Sequence, residues 1–298
     1  MKVGISSPGE ATTTPWRDLL AEAEERLTAT GLPSPGVDAR WIVEHASGHG
    51  SDLSLHLGDP VTNLGMARFD RMIARREAGE PLQYVLGRWG FRTLDLMVDR
   101  RVLIPRPETE TVVGHLLVEY DRLVAAGHSG CVVDLGTGSG AIALSVAAER
   151  SGVEVWATDK SAEALIVARG NLAGVGRPAT RVRMAEGSWF SALPAELAGS
   201  ILALVSNPPY VAPTDELPSE VADWEPTDAL ISYPTGLEAI AEIVSQAPDW
   251  LHPAGVLVVE LAPSQASAAV EAAWAAGFSF AEVRLDLAGR ARALVARC

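Results

Sequence analysis

Cysteine and lysine are scarce: the chain has only Cys131, Cys298, Lys2 and Lys160. One cysteine opens an apolar run and the other is the last residue, so neither a disulfide framework nor a cysteine metal site is indicated. No apolar stretch reaches the roughly 20 residues that a membrane helix needs. The opening Met1-Lys-Val-Gly-Ile-Ser-Ser-Pro8 has no secretory core, and no targeting tail is visible. These absences predict a cytoplasmic protein with no membrane partner. Positive charge is also short, with 24 Lys and Arg against 38 Asp and Glu and a net charge of −14. Both parts are acidic, at 8 basic to 12 acidic residues through position 85 and 16 to 26 beyond it. Nucleic-acid binders draw much of their affinity from neutralising phosphates, and no basic stripe is evident. No direct nucleic-acid contact is expected; a protein, peptide or small molecule is the favoured substrate. His45, His49, His56, His115, His128 and His252 lack metal-ligand spacing, so no metal is expected.

What the 298 residues do contain is a large apolar share, 48%, enough for one large or two ordinary domains. Residues 1–14 are polar and expected to be disordered. Thr14 is placed to cap a helix with Pro15 at its first position, and Trp16, Leu19, Leu20, Ala23 and Leu27 recur at helical spacing. Further helices are predicted through Ala39–Ala46 and from Asn63 to about Gly79. This helical module is either a packing cap or a partner-docking arm. Trp89–Val98 alternates as a β-hairpin, and Arg106-Pro-Glu-Thr-Glu110 opens a helix with acids in its first turn. From residue 130 strands (131–135, 153–158, 180–185, 201–206, 255–261) alternate with helices (139–150, 161–173, 236–250, 264–276), the pattern of a mainly parallel sheet. Segments 278–285 and 291–296 read as a closing strand pair.

Two strand ends carry the chemistry. The apolar run Ile201–Ser206 stops at Asn207-Pro208-Pro209-Tyr210. Two prolines cannot continue a ladder because neither donates an N–H. The Pro208 carbonyl is thereby aimed outward without local partners, the Asn207 side-chain oxygen is a second acceptor, and Tyr210 adds a flat wall. Two acceptors beside an aromatic face suit a planar group bearing an NH2, although the same tetrapeptide also serves as a rigid turn.

Upstream, Asp134-Leu-Gly136-Thr137-Gly138-Ser-Gly140 lies between a strand and a helix. Its glycines let a ligand approach the backbone, and the helix start offers N–H groups to an anion. The next strand ends at Asp159, where a carboxylate can receive two ribose hydroxyls. Gly136-x-Gly138-x-x-Ala141 also fits a dinucleotide site, so the glycines alone leave the cofactor open. Asp134 before the first glycine, together with Asn-Pro-Pro-Tyr after the fourth strand, suits S-adenosyl-L-methionine, with S-adenosyl-L-homocysteine as product. Its amino group would face Asp134, its ribose Asp159 and its methyl Asn207.

These pieces resemble the HemK/PrmC family of peptide-chain release factor glutamine-N5 methyltransferases. The resemblance rests on Gly79-Glu-Pro-Leu82, Leu103-Ile-Pro-Arg-Pro-Glu-Thr-Glu110, Asp134–Gly140, Ser206–Tyr210, Trp224–Leu230 and Asp286-Leu-Ala-Gly-Arg290, in order, from residue 15 to 297. It implies an α/β fold, a class I S-adenosylmethionine-dependent methyltransferase domain with a Rossmann-like, seven-stranded, mainly parallel sheet (105–298). It further implies a helical substrate-docking domain (15–85) and a β-hairpin linker (86–104). The implied partner is the Gly-Gly-Gln loop of release factors, and the chain is expected to act as a monomer. In such enzymes the residues matching Asn207 and Pro208 hold the glutamine amide and that matching Tyr210 packs on it; Pro209 completes the motif. Arg106 lies in the segment beside the active site, as a substrate contact or as a salt bridge holding the linker. The chain departs from the family after the third strand, where an acid usually meets the adenine amino group. Here Glu186-Gly-Ser188-Trp189-Phe190 offers Ser188, a weaker acceptor, or Glu186 in its place, while Trp189 and Phe190 are either core or an edge on the adenine.

The expected reaction needs no strong base, metal or covalent intermediate. Asn207 and Pro208 would accept both amide N–H bonds, orient the nitrogen and stabilise the charge that develops on it. Competing readings are methylation of a ribosomal-protein glutamine, adenine-N6 methylation of nucleic acid, and a non-catalytic cofactor sensor.

Overall fold

The computed structural model describes residues 14–298. Except for Thr14, the stretch expected to be disordered lies outside the described residues. The chain divides into two compact units, one ending at Leu86 and one running from Gly87 to Cys298.

The first unit is helical: α1 (Trp16–Ala29), α2 (Pro35–Ser47), α3 (Leu53–His56), α4 (Asn63–Glu77) and α5 (Leu82–Leu86). Apolar residues at helical spacing meet in one core, with Leu19, Ala23, Leu27, Ile42, Val43, Phe69 and Ile73 essentially inaccessible. The expected cap at Thr14 is corrected. Pro15 is itself the extended residue before α1, held in a bridge to Pro60, and makes no side-chain cap. Inside this core Arg76 donates to Asp38 at 2.7 Å, both side chains nearly fully buried. His49 and His56 stack 3.9 Å apart with Asp59 bonded to His56, a grouping that sequence spacing did not reveal.

The second unit opens with a hairpin, β1 (Arg88–Phe91) and β2 (Leu94–Met97), followed by α6 (Pro107–Ala125). Then come β3 (Val132–Leu135), α7 (Ala141–Glu149), β4 (Val155–Asp159), α8 (Ala162–Gly174), β5 (Val182–Glu186) and β6 (Ile201–Ser206). The short turns α9 (Ser219–Ala222) and α10 (Thr227–Leu230) precede α11 (Glu238–Trp250), β7 (Leu251–Glu260), α12 (Ala266–Ala275), β8 (Phe280–Leu285) and β9 (Ala291–Arg297). The seven-stranded sheet has the order β5-β4-β3-β6-β7-β9-β8, parallel except at β9. This is the mainly parallel sheet expected from the sequence.

Period-2 alternation sends neighbouring residues to opposite faces. Val132, Val155 and Val256 pack with α6 and α7, while Val133, Leu135, Leu257 and Val259 pack with α11 and α12. The chain crosses from β3 to β4 on one side and returns to β6 on the other. The carboxyl ends of β3, β4 and β6 therefore flank the point where strand order reverses, the place where open α/β sheets bind ligands. None of the described helices is long and apolar enough to cross a membrane.

Candidate active site

A cavity of about 410 Å³ opens at that reversal point, within the size range of small-molecule sites. Of the residues singled out from sequence, Gly136, Thr137, Gly138, Asp159, Ser188, Trp189, Asn207 and Pro209 line it. The geometry brings residues from the ends of four strands, β3, β4, β5 and β6, to one cavity.

The glycine turn is tied down by backbone bonds. The N–H groups of Gly136 and Thr137 both donate to the Thr158 carbonyl at 2.8 Å, and Gly138 N–H donates to Asp159 Oδ2 at 2.8 Å. Gly136, Gly138 and Gly140 have φ of 75°, 55° and 85°, the left-handed region that side chains resist. A Cβ on Gly136 would sit 3.3 Å from the Trp189 ring. Trp189 is itself at φ 44° and donates from its indole to Glu242 at 3.2 Å. A non-glycine residue at positive φ costs free energy and persists where its surroundings demand it.

Asp134 is fully buried beneath this turn and does not line the cavity. Its Oδ2 accepts from Thr137 Oγ1 at 2.6 Å and from Ala143 N–H at 3.1 Å; its Oδ1 has no partner. Burial, with nearby Asp159 adding to it, pushes its carboxyl up to about 7. Gly140 caps α7 behind the turn. Asp159 accepts from Gly138 and from Ser161 N–H, and burial raises its carboxyl despite those bonds.

Ser188 lines the cavity, whereas Glu186 is exposed at the end of β5 and does not. Phe190 belongs to the core, stacked on Trp250 with centroids 5.7 Å apart. At the end of β6, Asn207 and Pro209 face the cavity while Pro208 is buried. Arg106 is not in the lining. Its guanidinium pairs with Glu225 at 2.5 Å, and Glu225 also accepts from Ile104 N–H at 3.2 Å. This ion pair joins the segment before α6 to the segment before α10; the first contributes walls through Arg101, Val102, Leu103 and Pro105, and the second, continuing into α10, through Pro226 and Asp228.

Two residues in the hydrogen-bond chain behind Asn207 were not picked out from sequence. Thr109 lines the cavity in the first turn of α6 and accepts from Asn207 Nδ2 at 3.3 Å. The same hydroxyl donates to Glu260 Oε2 at 2.7 Å, at the end of β7, and Tyr210 Oη donates to Glu260 Oε1 at 3.2 Å. Glu260 is inaccessible and burial raises its carboxyl; burial also raises the Tyr210 phenol. The sequence did contain a signal, a Glu at the end of an otherwise apolar strand, where an unpaired charge would be costly.

Residues 18–87 match the family model described as the PrmC N-terminal domain, and residues 114–222 match the methyltransferase small domain. A release factor glutamine methyltransferase of Burkholderia pseudomallei is 40% identical over 92% of this chain and 95% of its own. One from Deinococcus radiodurans is 40% identical over 94% and 98%, and one from Bifidobacterium longum is 39% identical over 94% and 98%. Among solved structures, the hMettl16 catalytic domain in complex with MAT2A 3'UTR hairpin 1 has a TM-score of 0.54 at 18% identity, covering 74% of this chain and 79% of that one. That likeness carries the fold, a methyltransferase sheet with its helices. Identity at this level over nearly the full length of several relatives, joined to a cavity at the strand ends where the motifs converge, places the chain in the release factor glutamine methyltransferase family.

Proposed function

We propose that the protein transfers a methyl group from S-adenosyl-L-methionine to the side-chain amide nitrogen, N5, of the glutamine in the Gly-Gly-Gln loop of peptide-chain release factors. The observation that carries this reading is Asn207. Its amide nitrogen is engaged by Thr109, which leaves its oxygen for an incoming N–H at the cavity wall.

The residues present fit the donor. Asp134 keeps one buried oxygen without a partner, a costly arrangement unless a cationic group is brought near it. The backbone of Gly136 and Gly138 can be approached closely, and Asp159 has acceptor capacity beyond its two backbone bonds. Asp134 would meet the amino group directly or through water, Asp159 the ribose hydroxyls, and Ser188 with Trp189 the adenine. The donor, when bound, supplies an electrophilic methyl group on a positively charged sulfur.

The chain's own residues do the rest. An amide nitrogen is a poor nucleophile because its lone pair is delocalised into the carbonyl. Asn207 Oδ1 and the Pro208 carbonyl accept the two N–H bonds, fix the nitrogen's direction and stabilise positive charge as it develops there. Tyr210 and Pro209 restrict the amide plane. The proton leaves to solvent after transfer.

The test is mass analysis of intact release factor and of its Gly-Gly-Gln peptide after incubation with the enzyme and donor. A ribosomal protein and duplex DNA serve as parallel acceptors. One added methyl group mapped to the loop glutamine is the expected result. Methyl transfer to either other acceptor alone overturns the substrate assignment.

A further inference from the structure

An asparagine at this site can hold an amide substrate only if it faces the right way. Rotated by half a turn about its last bond, Asn207 would present NH2 groups to the substrate's own N–H donors and repel them. Something must choose the orientation, and the hydrogen-bond chain around Asn207 has a definite polarity.

Glu260 is the end of that chain. It is fully buried at the last position of β7, with Arg292 Nη1 4.0 Å from Oε1. Burial raises its carboxyl, but the Thr109 and Tyr210 hydroxyls and the Arg292 guanidinium all favour the charged form, in which it only accepts. Thr109, 4% exposed, has a single hydroxyl hydrogen, and that hydrogen is spent on Glu260 Oε2 at 2.7 Å. The Thr109 oxygen can then only accept, and what it accepts from is Asn207 Nδ2 at 3.3 Å. Asn207 Oδ1 is left on the other side of the amide. The second Glu260 oxygen takes the Tyr210 hydroxyl at 3.2 Å. One inaccessible carboxylate therefore references both polar side chains of the Asn-Pro-Pro-Tyr loop.

We propose that Thr109 and Glu260 are positioning residues that select the acceptor-facing rotamer of Asn207, so that its oxygen rather than its NH2 group meets the substrate amide. The inference rests on the amide-methylation reading above. It assigns to Thr109 a role that acts only through Asn207, and this makes it separable from simple support of α6.

The experiment is a double-mutant cycle on the full chain with release factor and donor, using Thr109→Val, Thr109→Ser, Asn207→Ala and the Val/Ala combination. Thr109→Val should lower kcat by about 10- to 100-fold, the scale of one misplaced electrostatic contact. KM for release factor and donor Kd should stay within about threefold, the signature of a loss confined to the transition state. Thr109→Ser, which keeps the hydroxyl, should retain most of the activity. In the Asn207→Ala background Thr109→Val should have no further effect, because residues acting through one another are not additive. Full additivity, or equal damage from Val and Ser, overturns the proposal. A second readout needs neither turnover nor a stable variant: the 15N-resolved side-chain NH2 signal of Asn207 in the wild-type protein. Slow solvent exchange of one NH2 proton, as for a hydrogen-bonded donor, is expected; two freely exchanging protons overturn the assignment. If the wild-type enzyme leaves release factor unmodified, the substrate reading fails while the NH2 signal still decides the orientation.

Discussion

At the scale of single residues, Asn207 and Asp134 carry the sharpest predictions. Asn207→Ala removes one acceptor and is expected to reduce turnover by about 10²- to 10³-fold. Donor affinity, measured separately by calorimetry, should be nearly unchanged. Asp134 contributes differently. Its folded-state carboxyl is raised to about 7 by burial, so between the ordinary value near 4 and about 7 the folded form holds a proton that the unfolded form has lost. Stability therefore falls as pH rises through that window and levels off above it. Asp134→Asn keeps an acceptor for Thr137 but cannot ionise. Its Tm should show a flatter pH dependence between 4 and 7 in the donor-free protein, while donor affinity falls. A variant with the wild-type slope would remove Asp134 as the source. These two residues were legible in sequence because each closes a strand at a recognisable motif. Thr109 and Glu260 were not, since their contacts span 98 and 151 residues along the chain. Only the register of β6 beside β7, and of α6 against both, brings them together.

Elements carry the site's walls, and their joints were only partly visible beforehand. The parallel strands and long helices announced themselves by apolar periodicity, and the Trp89–Val98 hairpin by alternation. Short turns such as α9 and α10, held by proline-directed loops rather than by a repeating pattern, did not. Arg106 shows why a motif residue is hard to assign from sequence. A guanidinium can meet a ligand or another element, and here it meets Glu225, whose side chain is 1% exposed. Glu225→Ala should free Arg106 and the Ile104 N–H together, so the two cavity-wall segments lose their shared anchor. Removal of a buried acceptor costs about 1–3 kcal/mol. A drop in Tm of a few degrees and donor binding weakened by about tenfold are expected from thermal melts and equilibrium dialysis. Unchanged donor binding would show that the walls hold without this pair. Asn171 makes a comparable joint between elements. Its amide brackets Met97 of β2, with bonds of 2.7 and 3.0 Å, and donates to the Ser139 carbonyl at 2.9 Å. The hairpin and the glycine turn thus share one fastening on α8.

Across the whole molecule, each unit closes a core of its own. The helical unit packs around Phe69 and Ile42, and the larger unit packs both faces of its sheet. A domain with its own core is in principle able to fold alone. Every residue lining the cavity lies between Arg101 and Ala229, inside the larger unit. Donor binding should therefore survive removal of the helical unit, whereas recognition of a protein as large as a release factor has no reason to be confined to a cavity of about 410 Å³. A fragment spanning residues 87–298 is expected to bind S-adenosyl-L-methionine within about threefold of the full chain, a difference below 1 kcal/mol. Its KM for intact release factor should rise by more than tenfold, while that for a short Gly-Gly-Gln peptide changes little. The comparison separates the two readings of the helical module. A docking arm loses affinity only for the intact protein, whereas a packing cap loses donor binding and thermal stability with either substrate.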